Sequence, residues 1–336
     1  MSPLNTGAGT AQTSKVKILT GKEYGEMFSE PVNDDLLSYP VKMTEASDCV
    51  LPKRKSKSHK YSYGRAVIIG GSSEYAGAPT LAANACERSG AGLTRLMVPQ
   101  SIHTIAAIKA DGAVVTPLTA TENGGVDERA IPTVLEHLKR ASACVIGPGL
   151  GLDDAVHTIV ESVIFEAECP LVIDADALTI CGKNMEVLRS RRFPTVLTPH
   201  AGEFKRIGGN LSKGRLDAAV AFTQQYPNIV LILKGCGTLI GYRGEITVNP
   251  TGSPAMAKGG SGDVLSGILC GLLAQGFAPA EAAKSAVYLH GLAGDLAKKE
   301  FGEYSVTPGD LIRALPEAFK SITESKTGVW PENDNL

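Results

Sequence analysis

The chain has 336 residues, 43% of them hydrophobic and 20% charged, enough to bury a sizeable core as one large α/β unit or two smaller ones, the single unit being preferred. Its formal net charge of −2 excludes a general electrostatic pull toward nucleic acid or a membrane surface, so an anionic ligand needs a local site. Seven cysteines (Cys49, Cys86, Cys144, Cys169, Cys181, Cys236 and Cys270) form no CxxC pair and no Cys/His cluster, and read as small buried hydrophobes in a reducing compartment.

The opening stretch "MSPLNTGAGTAQTSKVKILTG" lacks the apolar core of a signal peptide, and no uninterrupted apolar run is long enough for a bilayer, so a cytoplasmic protein is expected. Residues 1 to about 50 show weak periodicity. The basic segment "LPKRKSKSHKYSYGR" follows, and the globular unit is expected to start near Arg65. That segment has two readings, a solvated loop, which is preferred, or a basic lip over a phosphate ligand.

Beyond Arg65, short β-rich runs alternate with helical patterns. "RAVIIGG" precedes "PTLAANACERSG", "LTRLMVP" precedes "SIHTIAAIKA", and "ACVIGPG" precedes "DDAVHTIVESVIFEA". Then come "PLVIDAD", "PTVLTPH" and "NIVLILKG". Continuously apolar strands separated by helices predict a mostly parallel sheet covered on both faces. "TLIGYR" and "EITVNP" read as a hairpin, and the remainder as helical. Nearly every strand ends in a glycine, proline or polar cluster, "GGSSEYAGA", "GPGLG", "DADAL", "TPHAGE" and "KGCGT" among them. Open parallel sheets bind ligands beyond the carboxyl ends of their strands, so these loops should meet at one site.

The segment "MAKGGSGDVLSGILCGLLAQG" is the most informative. Gly259, Gly260, Ser261 and Gly262 let the backbone approach a ligand closely, and the apolar helix that follows would add first-turn amides and a positive dipole end. Asp263 sits at that helix start. It is either a first-turn acid, worth on the order of 1 kcal/mol, or a base accepting a proton from a hydroxyl that attacks a bound phosphate. Lys258 precedes the glycines and no GK[ST] occurs, and "GGSSEYAG" does not fit GxGxxG, so the two commoner nucleotide fingerprints are absent.

At "NPTGSPAMAKGGSGDVLSGILCGLLAQG" the chain resembles the ribokinase-like superfamily, whose anion hole and base occupy a GxGD element. "SHKYSYG", "GGSSEYAGAPTLAA", "SGAGLTRLMVP", "IGPGLG", "DADAL", "LTPHAGEF" and "LKGCGTLI" narrow the resemblance to the ADP- or ATP-dependent NAD(P)H-hydrate dehydratase family, in order from His59 to about Gly276. It implies a three-layer α/β/α fold over residues 59–325, with an N-terminal extension (1–58) and a C-terminal tail (326–336). It also implies a repair reaction on hydrated NADH or NADPH (NADHX/NADPHX, the S-epimer). The ring hydroxyl is phosphorylated from ADP or ATP with Mg²⁺, and phosphate leaves to restore the cofactor. Hydroxide is a poor leaving group and phosphate a good one.

Carried onto this chain, the resemblance makes Asp263 the base and Gly259, Gly260, Ser261 and Gly262 the anion hole. Lys234, Gly235, Cys236, Gly237 and Thr238 line the adenine nucleotide, and Asn249, Thr251 and Gly252 begin the loop that closes over it. Ala78, Pro79, Gly149, Gly151 and His200 lie near the dinucleotide substrate, and Glu203 near the phosphates or their metal. Plainer readings stand beside these. Lys234 would be a strand-end lysine, Gly235 and Gly237 hairpin-turn residues, His200 a helix cap and Glu203 a first-turn acid. Asp174 and Asp176 are read as shaping their loop, and His103, His137, His157 and His290 as packing or surface residues.

The roughly sixty residues before the dehydratase-like region are too few for the epimerase domain fused to some family members, so a separate epimerase is expected. Relatives imply a homo-oligomer, such as a tetramer. The histidine of "TPHAGEF" leans toward ADP as donor. The alternative enzyme is a ribokinase-like small-molecule kinase of the hydroxyethylthiazole or pyridoxal type, and the non-enzymatic one a nucleotide-binding sensor.

Overall fold

The computed structural model describes residues 17–49 and 51–325; residues 1–16, on which the reading of the amino terminus rests, and the tail 326–336 lie outside the described residues. The chain opens with β1 (Ile18–Thr20), α1 (Gly21–Phe28) and β2 (Pro40–Met43). Three strand and helix alternations follow, β3 (Arg65–Ile69), α2 (Gly77–Arg88), β4 (Leu93–Pro99), α3 (His103–Lys109), β5 (Val114–Leu118) and α4 (Ile131–Leu138). The middle of the chain holds β6 (Ala143–Ile146), α5 (Asp154–Glu166), β7 (Leu171–Ile173), α6 (Ala175–Cys181), α7 (Glu186–Arg189), β8 (Thr195–Leu197), α8 (Ala201–Arg206) and α9 (Arg215–Gln225). Last come β9 (Ile229–Leu233), β10 (Thr238–Tyr242), β11 (Glu245–Asn249), α10 (Ser261–Ala274), α11 (Pro279–Phe301) and α12 (Pro308–Ser325).

One eleven-stranded sheet runs in the order β1-β2-β11-β10-β9-β8-β7-β6-β3-β4-β5. From β9 through β5 all neighbours are parallel. The expected hairpin β10–β11 is antiparallel, with Leu239 opposite Val248. Alternation along the strands divides their apolar residues between two cores. In β9, Ile229, Leu231 and Leu233 enter one core while Val230 and Ile232 enter the other; in β3, Val67 and Ile69 oppose Ala66 and Ile68. Both faces are therefore dry, which is why these strands read as unbroken hydrophobic runs. This is the three-layer α/β/α architecture that the alternation predicts.

The unit begins earlier than the expected Arg65. β2 pairs in parallel with β11, Val41 opposite Ile246, and β1 adds to β2, so residues 18–43 extend the sheet. These strands are three and four residues long and only half-buried, which leaves little periodicity to read. Their partner lies some two hundred residues away.

The basic segment is also located by the fold. Arg54 donates to the carbonyl of Gly90 and to Gln275, and the carbonyl of Ala274 crowds the Cα of Gly64, so the segment packs at the carboxyl end of α10. The glycine-rich loop sits at the other end of that fourteen-residue helix, about 20 Å away at the usual rise per residue. The solvated-loop reading holds and the basic lip does not. Six of the seven cysteines are buried as expected, but Cys236 is exposed on the turn after β9. No helix among the described residues is long and apolar enough to cross a membrane.

Candidate active site

The strand order reverses at β3, which has β4 on one side and β6 on the other, so a crevice opens beyond the carboxyl ends of β3 and β6. Next to it, α10 points its first turn at the ends of β7 and β9. Gly260, the residue before α10, has φ +96°, and a Cβ there would lie 2.8 Å from Pro308 Cγ and 2.9 Å from Leu81 Cδ1. Only glycine tolerates both the left-handed backbone and that approach. The turn aims the first-turn amides of α10, which lack intrahelical acceptors, into an open cleft.

That cleft, of about 430 Å³, is lined by Asp174, His200, Lys234, Gly259, Gly260, Gly262 and Asp263 among others. Lys234 sits at its floor. Its Nζ lies 3.2 Å from Asp174 Oδ1 and 3.7 Å from Glu203 Oε2, and a Cβ built on Gly262 would meet it at 3.3 Å. Burial alone would depress the ammonium, but the Asp174 and Glu203 carboxylates outweigh it and raise its pKa. Asp174 is nearly inaccessible and also accepts from Ser266 Oγ at 2.5 Å. It is thus a buried charge with two donors, as such a group requires.

Asp263 has no such partner at hydrogen-bond distance in the cleft. Burial, followed by the repulsion of Asp174, pushes its carboxyl up to about 7, Lys234 opposing. An acid shifted to the operating pH exchanges a proton readily, the property wanted of a general base. Asp263 also stands in the first turn of α10, as the plainer reading has it.

The plainer readings of His200 and Glu203 are realised in the same geometry. His200 is the N-cap of α8, its Nδ1 accepting from Gly202 N at 2.9 Å and Glu203 N at 3.3 Å, while Glu203 Oε2 accepts from His200 N at 2.8 Å. This reciprocal cap leaves the imidazole at the cleft mouth, 56% exposed, and Glu203 Oε1 facing inward of His200 Nε2 at 3.5 Å. No group of three His, Cys, Asp or Glu side chains suited to a metal ion occurs among the described residues.

A second cavity of about 440 Å³ joins the cleft at Lys234, Gly235 and Gly262 and brings together the residues expected at the nucleotide. Cys236, Gly237 and Thr238 form one wall, Asn249, Thr251 and Gly252 another, and Ser261 the inner end. The loop after β11 is held by its own polar groups. Asn249 Nδ2 donates to Thr251 O at 3.0 Å, Thr251 Oγ1 to Tyr288 O at 3.0 Å, and Gly252 N to Asp295 Oδ2 at 3.0 Å. Ser253 Oγ and His290 Nε2, both buried and both belonging to residues of the lining, have no hydrogen-bond partner among the described residues. Burial pushes His290 down to about 4, so it is neutral near pH 7. The reading of His290 as a packing residue missed this placement, because one histidine in an Ala-rich helix carries no sequence signal of which cavity it lines.

Ala78, Pro79, Gly149 and Gly151 line neither cavity but cluster beside the cleft at the topological switch point. A Cβ on Gly149 would lie 3.4 Å from that of Ala78, and one on Gly71 3.1 Å from Pro79 Cγ. Gly151 N donates to Asp176 Oδ2 at 2.9 Å, tying the "GPGLG" loop to "DAD". Between the two aspartates, Ala175 has φ +49°, a left-handed conformation that costs a residue with a Cβ about 1–2 kcal/mol. The "DAD" turn therefore does shape the loop, as read, while its first aspartate also holds Lys234.

The family model described as NAD(P)H-hydrate dehydratase matches residues 66–317. The chain is 39% identical over 279 residues to a bifunctional NAD(P)H-hydrate repair enzyme of Moorella thermoacetica, the match covering 82% of this chain and 52% of that protein. It is 35% identical over 289 residues to an ADP-dependent (S)-NAD(P)H-hydrate dehydratase of Bacillus subtilis, covering 84% of this chain and 99% of that protein. Among solved structures, a ribokinase-like protein of Enterococcus faecalis superposes with a TM-score of 0.73 at 32% identity, covering 82% of this chain and 94% of that one. A B. subtilis ADP/ATP-dependent NAD(P)H-hydrate dehydratase co-crystallised with ATP/Mg²⁺ gives 0.62 at 31% identity, covering 82% and 95%. The chain spans about half the length of the bifunctional relatives. From these matches and the ribokinase-like α/β sheet, the chain belongs to the NAD(P)H-hydrate dehydratase family.

Proposed function

We propose that this chain dehydrates the S-epimer of hydrated NADH or NADPH, using ADP or ATP as phosphoryl donor. One observation carries the reading: a carboxyl with pKa near 7, Asp263, stands at the mouth of a glycine-turned helix between a nucleotide-sized cavity and the switch-point crevice. The dinucleotide lies against the loops of Ala78, Pro79, Gly149 and Gly151, with His200 at the cleft mouth. Asp263 takes the proton of the ring hydroxyl as its oxygen attacks the terminal phosphorus, and the bridging P–O bond breaks with its electron pair going to the departing AMP (from ADP) or ADP (from ATP). Amides of Gly259, Gly260, Ser261 and Gly262 stabilise the charge on the transferring group, and Lys234 neutralises its neighbourhood. Phosphate then leaves with the electron pair of the carbon–oxygen bond, and loss of a ring proton restores the double bond.

Lys234 pairs with Asp174 and Glu203, and two more carboxylates, Asp176 and Asp263, stand near them without an ion-pair partner of their own among the described residues at the proposed phosphate site. Such a surplus suits a divalent ion that arrives with the nucleotide and keeps most of its ligands as phosphate and water. Glu203, beside Lys234 at the inner side of the cleft, is the side chain assigned to hold it by this reading, and Mg²⁺ when bound would offset phosphate charge. A reducing setting such as the cytoplasm suits the free thiols. The exposed Ile108, Phe165 and Tyr304 are apolar side chains that a homo-oligomer would cover.

The test is regeneration of reduced-nicotinamide absorbance from hydrated NADH with Mg²⁺ and either ADP or ATP, measured in parallel to fix the donor. No regain, together with phosphorylation of a thiazole or pyridoxal alcohol, would replace this reading by the small-molecule kinase.

A further inference from the structure

The nucleotide cavity has a wall that lies outside every sequence motif of the site. Phe28, the last residue of α1, lines it beside the turn after β9. The contact is close. Gly237 has φ +58°, and a Cβ there would lie 2.5 Å from Phe28 Cδ1, so the aromatic ring rests directly on the turn backbone.

Local structure fixes that ring. Thr20 caps α1 in a reciprocal box with Glu23, and the helix stops at Ser29, whose left-handed backbone (φ 54°) turns the chain back toward Gly25. Tyr24, fully buried, packs its ring 5.4 Å from that of Phe28. Immediately after the turn, Glu30 Oε1 meets Arg215 Nη1 at 3.2 Å. The same guanidinium donates to Cys236 O at 2.6 Å, Leu233 O at 2.9 Å and Gly237 O at 3.3 Å. One buried arginine thus holds three carbonyls of the turn and is itself held by the segment that carries Phe28.

We infer that the amino-terminal arm is part of the nucleotide site: Phe28 is a specificity-determining wall for the base of the adenine nucleotide, resting on the turn whose carbonyls Arg215 holds. The cavity supplies the chemistry such a base needs, an aromatic face together with two polar atoms left without partners, Ser253 Oγ and His290 Nε2. This inference rests on the proposed use of ADP or ATP. An adenosine half occurs in the dinucleotide substrate as well, and the experiment separates the two.

Binding of ADP, ATP, NADH and pyrophosphate would be measured with the full chain and Mg²⁺, for the unmodified protein, Phe28→Ala, Phe28→Leu and Phe28→Tyr. Phe28→Ala is expected to weaken ADP and ATP about tenfold, the loss of one base–aromatic contact, and to raise KM for the nucleotide with kcat within about twofold. Pyrophosphate and NADH should bind unchanged, Phe28→Tyr should restore ADP binding, and Phe28→Leu, which keeps an apolar filler if alanine impairs folding, should still weaken it. Unchanged ADP binding in the alanine and leucine variants overturns the inference, as does a loss confined to NADH or an equal loss for all four ligands. If the unmodified protein binds neither ADP nor ATP, the proposed function fails first.

Discussion

The two ends of α10 differ in charge in the opposite sense to their expected roles in binding an anion. Its carboxyl end lies beside the segment richest in Lys and Arg, which complements the negative end of the helix dipole. Its amino end has glycines, a serine and a cluster of carboxylates around one lysine, and it is the end that faces the cleft. Backbone amides and a single buried cation can be fixed in place, whereas flexible surface lysines are hydrated and screened. The anion site proposed for this fold is accordingly built from the backbone, with Lys234 as the fixed cation beside it.

The largest test of that contrast is Asp263→Asn. It should reduce turnover by about a thousandfold while leaving the nucleotide Kd within about threefold, because the amides remain. Turnover near that of the unmodified protein would remove Asp263 from the role of base. Next is Lys234→Met, which strips Asp174 and Glu203 of their cation. It should cost about 3 kcal/mol of stability, read as a lowered denaturant midpoint, since an uncompensated buried carboxylate is left behind. An unchanged midpoint would mean that Ser266 alone satisfies Asp174.

The pH dependence comes third. The folded pKa of Asp263 is raised to about 7 from the ordinary carboxyl value of 3.8, so its contribution to stability is fully present below about 3.8 and lost as pH rises through about 7. Activity runs the opposite way, because the base must be ionised. kcat/KM should fall about tenfold per unit below pH 7, with a limb absent from whatever residual activity Asp263→Asn retains. A limb near pH 4 would show that the carboxyl is not desolvated as the cleft implies. The smallest effect is expected at the other end of the helix. Lys55→Ala with Lys57→Ala should leave ADP affinity within about twofold at moderate salt, as for exposed residues remote from a site. A large loss there would restore the basic lip.

Much of this was legible because the signals are local. β3, β6 and β9 are short runs such as "RAVII" and "IVLIL" that leave no polar face, and the turns after β7 and β9 carry Asp174 and Gly235 of the cleft lining. The glycine loop with Asp263 was legible for the same reason, a few residues in fixed order making one turn. Phe28, Arg215, Ser266 and His290 were not. Phe28 lies some two hundred residues from the turn it touches, and Ser266 and His290 sit in helices whose composition says only that they are buried. The arm 18–43 escaped because three-residue strands such as Ile18–Thr20 have no period to measure.

By itself the sequence determined the layered parallel sheet, the hairpin and the glycine-turned helix start, since backbone conformation and strand burial depend on neighbours in the chain. Only the tertiary structure decided that Lys234 faces Asp174 and Glu203, that the basic segment stands at the far end of α10, and that Phe28, from the arm 18–43, lines the cavity that joins the cleft at Lys234. Those facts depend on distances between segments far apart in sequence. Such distances are fixed by how helices and strands pack, which no short stretch of residues encodes.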